Sequence, residues 1–93
     1  WKAEKTAQLV EQALVCGFRA IDTACQPKHY NEAGVGEALH SVMLKHGISR
    51  GDVFLQTKFT PISGHDERVP YDPAAPIEEQ VMQSFKTSQK NLR

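Results

Sequence analysis

Ninety-three residues suit one small domain or a piece of a larger one, and the first is Trp1 instead of Met, so its start is not expected to be a translation start. Eleven basic and eleven acidic side chains cancel without a basic run, which speaks against nucleic acid as a partner. No apolar run approaches the roughly 20 residues that span a bilayer, and residues 1–12 lack the apolar core of a signal peptide, so a soluble, cytoplasmic chain with no membrane partner is expected.

From Lys2 to Cys16 the apolar residues Ala7, Val10, Ala13 and Leu14, with Leu9 on the flank, recur at helical spacing, and Gly17 follows as a left-handed stop. Phe18 to Asp22 is short, bounded and rich in buried residue types, which predicts a strand entered directly from the helix. After a polar loop from Thr23 to Tyr30, Asn31 is placed to cap a helix with Glu32 in its first turn. That helix carries Val35, Leu39, Val42 and Met43 inward, Gly34 and Gly36 for close packing near its start, and His46 and Gly47 at its end, with His40 and His46 expected at the surface.

Ser49-Arg50-Gly51-Asp52 is turn chemistry, and Val53 to Lys58 predicts a second strand. Residues 59–75, with three prolines and several charges, form a long loop that leaves the Lys58 end of the strand and is expected to be a lid. Pro76 opens a last helix with Ile77, Val81, Phe85 and Leu92 along one face. Strands joined through helices return in the same direction, so a parallel sheet is expected. Cys16 and Cys25 match no zinc-ligand spacing and His65 and Asp66 have no partner spacing, so reduced thiols and no metal are expected.

Two strands cannot close a sheet, and Asp22 and Lys58 stand where the strands of a (β/α)8 barrel present catalytic groups, at the C-terminal ends. Tyr30 adds a third proton-handling side chain just before a helix. Taken singly, Asp22 could cap a turn, Lys58 could be a solvated charge and Tyr30 a half-buried helix neighbour.

GFRAIDTA over residues 17–24, NEAGVGEAL over 31–39 and a strand ending in Thr57-Lys58 resemble the aldo-keto reductase family. The resemblance implies an α/β fold that is a partial (β/α)8 TIM barrel, incomplete at both ends. Residues 2–16, 32–46 and 77–92 would be its first three helices, and 18–22 and 53–58 its second and third strands. Residues 1–93 would then be the N-terminal part of an NADP-dependent oxidoreductase barrel domain, with the first strand upstream of Trp1 and strands four to eight beyond Arg93.

The implied reaction is reduction of aldehydes or ketones to alcohols with NAD(P)H, NADPH being the cofactor more often preferred, on a small-molecule carbonyl substrate. The cofactor supplies a hydride and the protein must supply a proton. A nearby ammonium stabilises a phenolate, and a carboxylate keeps a lysine charged, so the resemblance makes Tyr30 the general acid tuned by Lys58 and Asp22. It also implies Asp22 and Thr23 as cofactor-binding residues and Trp1 and His29 as walls of the substrate pocket.

The loop from Asp22 to Asn31 is two residues longer than the common family pattern, which puts Pro27 and His29 at the positions where the tyrosine is expected and leaves Tyr30 as the loop's one phenol. His29, and less readily Tyr71, are alternative donors, and Gln26 and Lys28 are expected at the pocket mouth. The rival readings are a non-catalytic truncated product or interaction module built on a barrel-like fragment, and a barrel protein that binds nicotinamide but signals through a partner. The chain alone is expected to be inactive, and its substrate and oligomeric state are not legible.

Overall fold

A computed structural model describes residues 5–93. Helix α1 (Thr6–Cys16) leads through Gly17 into strand β1 (Ala20–Asp22), and α2 (Glu32–Lys45) leads into β2 (Phe54–Gln56). Helix α3 (Ile77–Leu92) ends the chain.

Local chemistry accounts for the boundaries. Gly17 takes φ 121°, and the amides of Gly17 and Phe18 reach back to Leu14 and Ala13 at 3.2 and 3.1 Å, closing α1 as its sequence predicts. The Asn31 side chain accepts from the Gly34 amide at 3.0 Å, which caps α2. At its other end Gly47 takes φ 66° and the Ile48 amide returns to the Val42 carbonyl. Ser49 and Asp52 then close a 3-10 turn (Arg50–Asp52) by exchanging side-chain and backbone hydrogen bonds.

The strands pair in parallel, with Ala20 opposite Phe54, Ile21 opposite Leu55 and Asp22 opposite Gln56. Regular strand geometry is shorter than the predicted 18–22 and 53–58, but the pairing runs on. Phe54 donates to Arg19 at 2.7 Å, Thr23 to Gln56 at 2.8 Å and Cys25 to Lys58 at 3.0 Å. Alternation then sorts the side chains. Ile21 and Leu55 turn toward the helices and pack on a core of Leu14, Val35, Leu39, Val42, Ile48 and Val53. Phe54 is 67% exposed, and Ala20, Asp22 and Gln56 share its open face.

Two helix faces differ from expectation. Met43 is exposed, and Ala38 takes the buried place beside Leu39 and Val42. Of the predicted α3 stripe, Leu92 packs against the core but Ile77, Val81 and Phe85 face solvent, whereas Gln80, Ser84 and Ser88 are buried. The missing side chain of Gly36 lets α3 approach α2: a Cβ there would collide with the Asn91 carbonyl oxygen.

The loop of residues 59–75 is not a free lid. The Phe59 and Tyr71 rings stack at 5.4 Å between centroids, and the Tyr71 hydroxyl donates to Thr60 at 2.8 Å. Thr87 on α3 donates to the Pro70 carbonyl at 3.2 Å, and Gln26 donates to the Gly64 carbonyl at 2.8 Å, so both ends of the loop are tied down. Tyr71 is thereby buried, away from the role of an alternative donor.

Candidate active site

Asp22 and Lys58 meet where their strands end: the Lys58 ammonium donates to Asp22 Oδ2 at 2.7 Å. The other carboxylate oxygen, Oδ1, accepts from the Gln56 amide at 2.9 Å. Lys58, and secondarily Gln56, hold the Asp22 carboxyl below its ordinary range, against a smaller upward push from desolvation. The spacing of Gln56 and Lys58, two residues apart on one strand, puts both donors on the same face and could have flagged Gln56 from the sequence.

Tyr30 reaches the pair through its ring. The Lys58 ammonium lies 5.5 Å from the ring centroid, within cation–π range. Among the described residues no hydrogen bond joins the Tyr30 hydroxyl to Lys58 or Asp22. Tyr30 is 39% exposed, and His29 beside it is exposed as well. The two-residue-longer loop thus still brings its phenol against the lysine. Hydrogen bonds from the His29 and Tyr30 amides to the Gln26 carbonyl, 3.2 and 2.9 Å, wind the loop into the turn that delivers it.

A cavity of about 170 Å³ opens beside this group, lined by Asp22, Thr23, His29 and Tyr30 with Val10 and Val35 from the helices. It is too small for a dinucleotide, and Ile21, Val10 and Val35 in its lining place it on the helix side of β1, with Lys58 not among the residues that line it. Thr23 is buried, and its amide is already used in the strand pairing. Trp1, the other predicted pocket wall, lies outside the described residues.

Behind the site sits a buried carboxylate whose role the sequence reading missed. Glu32, the first residue of α2, is 4% exposed and accepts from Thr57, from Ser88 at 2.6 Å and from Asn91 at 3.1 Å. It joins the end of β2 to α2 and α3, and so fixes the backbone one residue before Lys58. Cys25 is buried in the same region, its thiol pushed up chiefly by burial, whereas Cys16 is exposed, and both are free thiols. No group of three potential metal ligands occurs among the described residues, and no helix among them is long and apolar enough to cross a membrane.

A sequence model of the Aldo/keto reductase family matches residues 1–93. The chain is 47% identical over 49 residues to an uncharacterized oxidoreductase, YtbE, of Bacillus subtilis, covering 53% of this chain and 17% of that protein. It is 47% identical over 49 residues to methylglyoxal reductase DkgB of Yersinia pestis, covering 53% and 16%. The NAD(P)H-dependent D-xylose reductase of Pachysolen tannophilus is 34% identical over 58 residues, 62% of this chain and 18% of that enzyme. The match therefore spans less than a fifth of the length of these relatives. No solved structure matches the chain.

Proposed function

Because the chain belongs to the aldo/keto reductase family, we propose that it is part of an enzyme that reduces aldehydes or ketones to alcohols, with Tyr30 as the general acid. The observation that carries the reading is the Asp22–Lys58 ion pair at the strand ends, 2.7 Å across, with the Tyr30 ring against its ammonium. In this reading β1 and β2 are the second and third strands of a (β/α)8 barrel and residues 1–93 the N-terminal part of its domain. The open strand face would be turned to the barrel's packed interior, and the C-terminal strand ends with Asp22 and Lys58 would lie at the rim where such enzymes carry their catalytic groups.

Asp22 and Thr23 would hold the nicotinamide end of the cofactor, NADPH in preference to NADH, and that group supplies a hydride when bound. This chain's own residues manage the proton. Tyr30 gives its phenolic proton to the carbonyl oxygen as negative charge gathers there. Lys58 stabilises the phenolate left behind, because an ammonium at short range favours the charged form. Asp22 keeps the ammonium aimed at the Tyr30 ring. Trp1 and His29 would wall the substrate, and the enzyme would work in the cytoplasm.

In the full-length enzyme Tyr30→Phe is expected to lower kcat by roughly 10² to 10⁴ while leaving cofactor binding, followed by fluorescence, in place. Lys58→Met should act in the same direction. If His29→Ala abolishes reduction and Tyr30→Phe does not, His29 is the proton donor and the proposed role of Tyr30 is wrong. The 93-residue chain supplied with NADPH and an aromatic aldehyde is expected to consume no cofactor.

A further inference from the structure

Gln56 is not among the three proton-handling residues, yet it occupies half of the Asp22 carboxylate. A carboxylate can only accept, so the amide presents its nitrogen, Nε2, to Oδ1 at 2.9 Å while Lys58 Nζ holds Oδ2 at 2.7 Å. The base of the glutamine is immobilised by the sheet: Gln56 is the register partner of Asp22, and its carbonyl accepts from Thr23 at 2.8 Å. The ion pair itself lies in the open, with 43% of the Lys58 and 56% of the Asp22 side chain exposed. A pair so exposed is weakly held by its own attraction, and a carboxylate with one partner can swing about its bond to Cβ. A second donor on the free oxygen stops that rotation. A neutral amide does so without adding a charge that would compete for the ammonium.

We propose that Gln56 is a positioning residue of this site, its amide fixing the Asp22 carboxylate so that the Lys58 ammonium stays against Tyr30. The inference rests on the reductase reading above and adds a fourth residue to it. Gln56 acts through Asp22 and need not touch substrate or cofactor. The downward pull it exerts on Asp22, second only to that of Lys58, agrees with such a contact.

The test uses the full-length reductase and two apolar replacements of different shape, Gln56→Leu and Gln56→Met, so that misfolding of one leaves the other to be read. Each is expected to lower kcat roughly threefold to tenfold, as for loss of one ordinary solvent-exposed hydrogen bond, with KM and cofactor affinity unchanged. Gln56→Glu should lose more, since a second carboxylate draws Lys58 away from Asp22. In an Asp22→Ala background the Gln56 replacements should cost nothing further, because the group through which they act is gone. Wild-type kcat in a folded Gln56→Leu or Gln56→Met enzyme, or an undiminished loss in the Asp22→Ala background, overturns the positioning role while leaving the reductase reading intact. Full turnover by Asp22→Ala itself would overturn the ion pair's role, and that of Gln56 with it.

Discussion

Each oxygen of Asp22 has its own donor, and that arrangement sets how the residue titrates. Lys58 first and Gln56 second favour the ionised carboxylate, so its folded value lies below the ordinary 3.8. A carboxyl whose folded value is depressed contributes stability above its unfolded value and loses it as pH falls through the folded one. The Asp22–Lys58 contact is therefore expected to persist from neutral pH to below about pH 4. A carboxyl-carbon NMR titration should find a midpoint under 3.8 that moves upward in Lys58→Met and, by a smaller amount, in Gln56→Leu. A midpoint at or above the ordinary value would mean that the two donors do not bind the carboxylate in solution. Asp66 follows the same rule in the 59–75 loop, where Arg68 holds it down to about 2. Cys25 runs the other way, since burial disfavours its thiolate.

Beyond the apolar core, a buried carboxylate and a glycine join α3 to the rest of the fold. Glu32 accepts hydrogen bonds from Thr57, Ser88 and Asn91, so Glu32→Ala would strand three donors at a junction that is 4% exposed. A loss of about 1–3 kcal/mol is expected, read from the denaturant midpoint. Gly36→Ala tests the other joint. Its new Cβ would meet backbone, the Asn91 carbonyl oxygen and the Leu92 Cα, which cannot rotate aside as a side chain could. The expected cost is about 1–3 kcal/mol with α3 displaced, and an unchanged midpoint would mean that α3 does not dock there.

What the residues disclosed follows the same division. The Asn31 cap and the Gly17 and Gly47 stops were legible because each depends on neighbours a few residues away, and the parallel pairing because a helix joins the two strands. The Asp22, Lys58 and Tyr30 grouping was legible because strand ends and a family-like text pointed to it together. The burial of Glu32 was not, since its partners Ser88 and Asn91 lie 56 and 59 residues along the chain. Helix α3 misled for a physical reason: Ile77, Val81 and Phe85 are its strongest pattern, but the polar face is the one with partners, Gln80 on the Pro73 and Ala75 carbonyls and Ser88 on Glu32 of α2.

At the scale of the whole molecule, two apolar surfaces remain uncovered. Phe18 and Phe54, 68% and 67% exposed, flank the ionic groups on the open sheet face, and Ile77, Val81, Met82 and Phe85 are exposed along α3. A two-stranded sheet with free edges is marginal alone, and exposed apolar patches recruit partners or dyes. The 93-residue chain by itself is thus expected to enhance the fluorescence of an apolar dye such as ANS and to elute larger than its 10.4 kDa monomer. Phe54→Lys and Phe85→Lys should each weaken both signals, because each places a charge in one of the two patches at a side chain that is more than half exposed and outside the core. The core of Leu14, Val35, Leu39 and Val42 is left intact by either change, so circular dichroism should keep its helical signal. A dye-silent, strictly monomeric chain would show that these faces close on themselves in solution. The strand ends that carry Asp22 and Lys58 would then be covered in the isolated chain, and the reading of the open face as a barrel interior would lose its support.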